Sequence, residues 1–209
     1  PGGLAATLLG YPLLLHEQNS LFGFTNKILR YVARQVLVGL PQHRVGNDKV
    51  RYVGNPLRPA LLAWAPPVRR PLGAVLRILV LGGSLGARAL NELVPASVAH
   101  YYNTGGSPLV VHHQTGPLHY ATTTACYQQL GVEAQLVPFI TEMAAYYAAA
   151  DLVICRAGAL TISELCAVGL PSILIPFPYA VDDHQTHNAA VLVQHGAAVM
   201  LPTSVASPT

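Results

Sequence analysis

One stretch of the chain, residues 151–189 (DLVICRAGALTISELCAVGLPSILIPFPYAVDDHQTHNA), constrains the fold more than any other. An apolar strand over residues 152–155 leads to a glycine at position 158, a helix follows, and a Gly-Leu-Pro break precedes a second apolar strand and a polar loop. This order predicts a β-α-β unit of a parallel sheet. Glu164, near the helix start, and the polar run 182–185 then share the rim where such sheets bind ligands. Polar side chains there that can hydrogen-bond to hydroxyl groups indicate a sugar or nucleotide ligand.

Strand and helix patterns alternate along the rest of the chain, which predicts an α/β fold with parallel sheets. Apolar residues make up 52% of the sequence and charged residues only 10%, as expected when buried parallel strands read as continuous apolar runs. A fresh strand begins near Arg77, after a Pro-, Ala- and Arg-rich stretch (residues 60–74) that we interpret as a linker or exposed crossover. The pattern therefore predicts two such α/β units.

Charge and cysteine usage exclude several classes of protein. The formal net charge is only +3, and the basic residues are scattered along the chain, which argues against a nucleic-acid binding surface. A weak attraction to an anionic membrane surface or a phosphorylated substrate remains open. The three cysteines form no CxxC pair, which argues against a zinc site and a disulfide framework. The chain starts without Met, and we expect it to be a piece of a longer protein.

The glycine-rich run at residues 82–86 (GGSLG) stands between a predicted strand and a predicted helix. Glycines let a backbone approach a phosphate, a helix amino terminus attracts anions, and Ser84 adds a hydroxyl donor. The alternative is a tight turn that binds nothing. The spacing matches neither GxGxxG nor the P-loop, which disfavours a dinucleotide dehydrogenase or an NTPase.

Glu164 and Gln185 are the polar side chains of greatest interest in the 151–189 stretch. Residues 161–164 (TISE) match a capping box, so Glu164 either caps its own helix or accepts two ribose hydroxyls. The amide of Gln185 both donates and accepts, which suits neighbouring sugar hydroxyls. A metal at the Asp-Asp-His run is the weaker interpretation, because three adjacent residues converge poorly on one ion.

Two further runs carry polar groups next to predicted strands. Residues 16–19 (HEQN) follow an apolar strand predicted over residues 11–15, as at the rim of an active site or in an ordinary loop. Arg58, in the run Asn-Pro-Leu-Arg, is suited either to pair with a phosphate or to brace the hinge between the two units.

Five runs in this order resemble one family. They are residues 16–27 (HEQNSLFGFTNK), 53–58 (VGNPLR), 82–88 (GGSLGAR), 113–116 (HQTG) and the 151–189 stretch. The family is MurG, which adds N-acetylglucosamine to undecaprenyl-linked muramyl-pentapeptide in peptidoglycan synthesis. The resemblance implies a GT-B type fold of two Rossmann-like domains. Residues 1–58 would be the carboxyl-terminal part of an incomplete acceptor- and membrane-associating domain, and residues 59–209 the UDP-sugar donor-binding domain without its final helices.

The resemblance also implies an activity. A hexosyltransferase would transfer N-acetylglucosamine from UDP-N-acetylglucosamine to the muramyl 4-hydroxyl of the lipid-linked acceptor, with inversion and without metal or cofactor. It would be a peripheral protein on the cytoplasmic face of the bacterial inner membrane. The implied contacts are Ser84 at the diphosphate, the Ile140 backbone at the uracil, Ala159, Leu160, Thr161, Ile162 and Ser163 along the phosphate and nucleoside, Glu164 at the ribose, Gln185 at the sugar, and Asn19 and Arg58 from across the cleft.

The resemblance assigns no catalytic residue. The family's glycine-rich loop, which ends in a candidate base histidine, has no counterpart in residues 1–209, so two alternatives stay open. One is a donor-binding module without catalysis. The other is a UDP-N-acetylglucosamine 2-epimerase of the same fold, which needs acidic and histidine groups placed for proton transfer. Lys27 and Arg30 are expected near the acceptor diphosphate and the anionic membrane.

Overall fold

The computed structural model describes residues 2–41, 48–63 and 75–202. Within them strands and helices alternate as predicted, except that the strands over residues 35–38 and 50–52 have no described helix between them. The helices are α1 (Gly2–Leu8), α2 (Phe24–Leu29), α3 (Pro59–Leu62), α4 (Arg88–Asn103), α5 (Tyr120–Gln129), α6 (Met143–Ala149), α7 (Ala159–Val168) and α8 (His184–Val193). The strands are β1 (Leu14–Glu17), β2 (Gln35–Val38), β3 (Val50–Tyr52), β4 (Leu76–Leu81), β5 (Leu109–Gln114), β6 (Gln135–Val137), β7 (Leu152–Cys155), β8 (Ser172–Leu174) and β9 (Ala198–Met200).

The strands form two sheets in which every pair is parallel. The smaller has the order β1-β2-β3 and the larger the order β6-β5-β4-β7-β8-β9, which confirms the predicted α/β fold with two parallel sheets. We call the described residues up to Arg58 the amino-terminal unit and those from Pro59 onward the carboxyl-terminal unit. The order of the larger sheet reverses between β4 and β7, and such a reversal opens a crevice at the carboxyl ends of these strands.

The core of the carboxyl-terminal unit has two layers, one on each face of its sheet. Ile78 and Val80 of β4 pack on one face, against α4 and α5. Leu79 and Leu81 pack on the other face, against α6, α7 and α8. All four side chains are buried because successive residues of a strand point to opposite faces and both faces are covered by helices.

Several boundaries differ from the sequence prediction. β1 spans Leu14–Glu17 rather than residues 11–15, since Glu17 pairs with Val38 of β2 and is buried. α8 begins at His184, because Asp182 and Asp183 both adopt left-handed backbone conformations (φ 54° and 50°) and turn the chain directly into the helix. Gln185 therefore lies in a helix, not in a loop.

The predicted linker is partly helical. Its first residues belong to α3, where Leu61 is buried in the core of the carboxyl-terminal unit. Residues 64–74 lie outside the described residues. Leu40, two residues after β2 in the amino-terminal unit, reaches the same core, so the two units share packed apolar surface.

Two glycine loops meet backbone to backbone at the carboxyl ends of β4 and β5. A Cβ on Gly86 would overlap the carbonyl group of Thr115, and one on Gly116 would collide with the backbone of Gly86. Asn91 of α4 also donates to the Thr115 carbonyl oxygen at 2.9 Å. The runs GGSLGAR and HQTG therefore pack as one unit.

His113 of β5 is fully buried beneath these loops. Its Nδ1 atom lies 3.0 Å from the hydroxyl oxygen of Tyr127 on α5, and the two rings meet edge to face. Burial lowers the pKa of His113 to about 4, because the charged imidazolium would lose its hydration. The ring is neutral at physiological pH and serves packing.

We predict that Gly86→Ala destabilises the chain far more than Gly83→Ala. Both glycines have φ near +80°, so each alanine incurs a left-handed cost of about 1–2 kcal/mol. A Cβ on Gly83 has nothing within 4 Å, whereas one on Gly86 overlaps backbone, which adds about 1–3 kcal/mol or more. Urea denaturation measures both, and equal losses would contradict the packing of the two loops.

The second prediction concerns pH. The folded-state pKa of His113 is below its unfolded value, so its contribution to stability is complete above about pH 6.5 and declines as the pH falls toward 4. We expect this group to lower the free energy of unfolding by about 2 kcal/mol between pH 7.5 and pH 5. His113→Gln should flatten the pH dependence by that amount, whereas His195→Gln, at an exposed position, should leave it unchanged. The same slope in both variants would assign the pH dependence to other groups.

Candidate functional site

The candidate site is the crevice at the carboxyl ends of β4 and β7, where the loops 82–87 and 156–158 lead into α4 and α7. No side chain caps either helix at its amino terminus. The first N–H groups of a helix have no acceptor within it, and the helix dipole makes this end positive. Ser84 is exposed in the first of the two loops. Two helix ends and a hydroxyl together form a site that suits a diphosphate.

Glu164 does not cap its helix, so the capping-box interpretation is wrong. α7 begins at Ala159 with Gly158 as its N-cap residue, which places Glu164 beyond the first turn. Its Oε2 atom accepts a hydrogen bond of 2.9 Å from the Tyr147 hydroxyl. Its Oε1 atom lies 4.0 Å from Nε of Arg58. Burial, and next the charge of Glu164, raise the pKa of Tyr147 well above its usual value, so this hydroxyl stays protonated and donates.

Arg58 connects the predicted ribose and uracil contacts. Its Nη1 atom donates to the carbonyl oxygen of Thr141 at 3.3 Å, directly after Ile140, while its Nε atom approaches Glu164. Ile140 as a whole is buried, with 2% of its surface exposed, and its side chain packs in the core. The contact of its backbone with the uracil stays a prediction. The fold thus brings Arg58, Ile140 and Glu164 together from three distant parts of the sequence.

Two of the predicted residues on α7 hold the frame of the site with their side chains. Ile162 is fully buried in the core. The Ser163 hydroxyl donates to the carbonyl one turn earlier and accepts from Nδ2 of Asn55, both at 2.9 Å. The first-turn residues 159–161 are placed to offer backbone N–H groups. Helix α7 therefore presents its backbone at its amino terminus and the carboxylate of Glu164 farther along.

Gln185 lies in the first turn of α8 with its amide oriented. Its Oε1 atom accepts a hydrogen bond of 2.9 Å from the backbone N–H of Phe177. This contact identifies the oxygen end of the amide, so the NH₂ end is the one that can donate to a sugar hydroxyl.

The HEQN run has a structural role in addition to its predicted place at the edge of the site. Glu17 is buried, with 4% of its surface exposed. Its carboxylate accepts hydrogen bonds from the backbone and side-chain nitrogens of Asn19, the backbone N–H of Gly23 and the side chain of Asn26. The buried charge is stabilised by these donors, and it holds residues 19–26 in one conformation.

Asn188 joins the two units, and sequence analysis missed it. Its Oδ1 atom accepts from the backbone N–H and the hydroxyl of Ser20 at 2.9 and 3.0 Å. Its Nδ2 atom donates to Oδ1 of Asn19 at 3.0 Å and to the Ala157 carbonyl oxygen at 3.1 Å. Asn188 lies inside the 151–189 stretch, but only its contacts in the folded chain distinguish it from its polar neighbours.

Arg156 was also missed, although it directly follows β7. Its Nη1 atom donates to the carbonyl oxygens of Ile175 and Pro176, both at 2.9 Å. Its guanidinium lies over the Phe177 ring, 5.6 Å from the centroid, and burial lowers its pKa. Arg156 thus ties the carboxyl ends of β7 and β8 together.

Across the described ranges, no three His, Cys, Asp or Glu side chains come together in a group that could hold a metal ion. Asp183 accepts from the Thr186 hydroxyl at 2.7 Å, and Asp182 pairs with Lys27 at 3.1 Å. The aspartates of the DDHQ run therefore have hydrogen-bond or ion-pair partners of their own.

Comparison with known proteins identifies the fold and the family. The profile of the glycosyltransferase family 28 C-terminal domain matches residues 77–209. The chain is 41% identical to the chain in the crystal structure of Acinetobacter baumannii MurG, with a TM-score of 0.82, and covers 58% of it. Calicheamicin glycosyltransferase CalG4, at 15% identity and a TM-score of 0.64, shares the fold alone. These structures confirm the predicted GT-B type fold.

Curated relatives carry one name, UDP-N-acetylglucosamine--N-acetylmuramyl-(pentapeptide) pyrophosphoryl-undecaprenol N-acetylglucosamine transferase. The protein of that name from Shewanella frigidimarina is 50% identical over 98% of this chain and 56% of its own length. The one from Xanthomonas axonopodis pv. citri is 53% identical over 96% of this chain and 46% of its own length. The chain spans about half the length of these relatives. The matches confirm the resemblance found in the sequence, and the chain belongs to glycosyltransferase family 28.

Proposed function

We propose that this chain is the donor-binding part, with a portion of the acceptor side, of an enzyme that converts lipid I to lipid II. The enzyme transfers N-acetylglucosamine from UDP-N-acetylglucosamine to the undecaprenyl-linked muramyl-pentapeptide, as the names of the curated relatives state for those proteins. Residues 1–58 would belong to the acceptor side and residues 59–209 to the donor side. The observation that carries the proposal is the Glu164 carboxylate, held by Tyr147 and Arg58 beside the uncapped amino terminus of α7.

The geometry supports a donor-binding mode in which different groups bind different parts of the UDP-sugar. The amino termini of α4 and α7, with the Ser84 hydroxyl, would hold the diphosphate. Glu164 retains acceptor positions on both carboxylate oxygens for two ribose hydroxyls. The Gln185 NH₂ group would read the sugar. Each group lies at the same edge of the larger sheet, so one extended UDP-sugar can meet all of them.

The same groups support inverting transfer. As the acceptor hydroxyl forms its bond to the anomeric carbon and loses its proton, the bond to UDP breaks and negative charge grows on the diphosphate. Fixed N–H dipoles at two helix ends stabilise that charge without reorganising. Attack comes from the face opposite UDP. The proton acceptor stays unassigned, and turnover with a lipid acceptor analogue distinguishes an active chain from a donor-binding module.

We propose in addition that the amino-terminal unit associates with the cytoplasmic face of the bacterial membrane. Phe24, the first residue of α2, and Tyr31, two residues after its end, are 72% and 71% exposed. Lys27, Arg30 and Arg34 lie in the same segment, and the Arg30 guanidinium is 5.0 Å from the centroid of the Tyr31 ring. Exposed aromatic residues among basic ones suit an anionic lipid surface. In the part of the chain that the structure describes, no helix has both the length and the apolar character to cross a membrane.

Calorimetric titration with UDP-N-acetylglucosamine tests the donor site. Glu164→Gln should weaken binding by about 1.5–3 kcal/mol, the range for hydrogen bonds to charged groups, which is roughly tenfold or more in Kd. The matched control is Glu92→Gln, where the carboxylate is exposed and pairs with Arg88 on α4, and it should bind as the unchanged chain does. Equal affinity of the two folded variants would reject Glu164 as the ribose contact. Absence of binding by the folded, unchanged chain would reject the donor site.

Sedimentation with anionic phospholipid vesicles tests the membrane surface. A fully buried Phe side chain contributes about 1.5–3 kcal/mol, so partial insertion predicts that Phe24→Ser lowers vesicle affinity by about fivefold. Leu118→Ser removes an apolar side chain of the carboxyl-terminal unit that is even more exposed, at 83% against 72% for Phe24. It should leave the affinity unchanged. A similar loss in both variants would indicate nonspecific adsorption.

A further inference from the structure

Resting on the proposed function, we infer that Asn188 is the positioning residue that couples an occupied donor site to the arrangement of the two units. Asn188 sits on α8, which carries the sugar-reading Gln185. Its partners Asn19 and Ser20 belong to the amino-terminal unit, and its partner Ala157 belongs to the loop that starts α7. One side chain therefore contacts the amino-terminal unit and the loop that starts α7, and it lies on the same helix as Gln185.

Glu17 determines which end of each amide side chain in this network donates a hydrogen bond and which end accepts one. A carboxylate only accepts hydrogen bonds, so the NH₂ group of Asn19 must face Glu17, at 3.3 Å. The carbonyl oxygen of Asn19 then faces Asn188 and requires a donor there. The NH₂ group of Asn188 supplies it, and its own carbonyl oxygen receives the two donors of Ser20. Each amide has one orientation that satisfies every partner.

This network is buried, whereas another polar contact between the units is exposed. Asn188 has no exposed surface and makes four hydrogen bonds. The Lys27–Asp182 ion pair is about half exposed, and pairs of that kind contribute little. Buried polar groups that lose their partners are costly. The Asn188 contacts therefore favour one arrangement of the units strongly over others.

Asn188 also links that arrangement to the donor groups. Gln185 precedes it by three residues on α8, so the two side chains lie on neighbouring positions of one helix face. Ala157 directly precedes Gly158, the N-cap residue of α7. A ligand held by α7 and by Gln185 fixes both parts relative to each other, which fixes the donors and acceptors that Asn188 presents to Asn19 and Ser20. Binding and closure then favour each other.

The test compares Asn188→Asp with Asn103→Asp, which makes the same chemical change at an exposed position on α4. The readout is amide hydrogen exchange of residues 19–26, with and without saturating UDP-N-acetylglucosamine. In the unchanged chain and in Asn103→Asp, the donor should slow amide exchange of residues 19–26. These residues belong to the amino-terminal unit, whereas the donor would be bound mainly by the carboxyl-terminal unit. In Asn188→Asp, a carboxylate faces the oxygens of Asn19 and Ala157, so this slowing should disappear and the Kd should rise at least about tenfold. Full donor-induced slowing in Asn188→Asp would overturn the inference.

Ser20→Ala provides the second variant, since it removes one hydroxyl donor and leaves Asn188 in place. It should reduce the donor-induced slowing partially, and an unchanged response would overturn the inference even if Asn188→Asp fails to fold.

Exchange of the Ser20 amide without ligand separates this inference from the proposed function. If the unchanged chain binds no donor and Asn188→Asp still accelerates that exchange, the proposed function fails and the contact between the units stands. If exchange is equal in all variants, the contact itself is rejected.

Discussion

The parallel direction of every strand is the constraint on which the rest of this structure depends. Parallel neighbours cannot be joined by a tight turn, so parallel strands need crossover connections, and in the larger sheet helices form these connections. All strands of one sheet then end at the same edge, where the polar residues that follow them collect. The reversal of order between β4 and β7 opens that edge into a crevice. The glycine loops, the amino termini of α4 and α7, and Glu164 are brought together by this arrangement.

Two buried or nearly buried carboxylates show how surroundings separate structural from binding roles. Glu17 is enclosed by donors from its own loop, so its acceptor positions are used in holding that loop together. Glu164 has one hydroxyl donor and one guanidinium nearby, and 14% of its side chain is exposed. The first carboxylate builds the surface of the amino-terminal unit, while the second retains acceptor capacity toward the crevice. Their chemistry is the same, and their partners decide the difference.

The site is made jointly by the two units. Arg58 approaches Glu164, Asn55 holds Ser163, and Asn188 holds the turn organised by Glu17. A donor bound by the carboxyl-terminal unit would therefore lie against side chains whose positions depend on the amino-terminal unit. The proposed coupling of donor binding to the arrangement of the two units rests on these shared contacts.

The sequence determined the alternation of strands and helices, and the placement of Ser84 and Glu164 after strands of one sheet, because apolar runs and glycine breaks are local signals. It also carried the five ordered runs that resemble one family. It could not determine the partner of Glu164, since Tyr147 lies in an Ala- and Tyr-rich helix with no pattern of its own. Nor could it single out Asn188 among the polar residues near it, or show that Glu17 is a buried centre. The Asn188 hydrogen bonds join residues 168 and 169 positions apart, and the Tyr147–Glu164 bond joins two neighbouring helices. The donors to Glu17 are close in sequence, but its burial depends on the pairing of β1 with β2. Local sequence patterns carry none of these tertiary contacts.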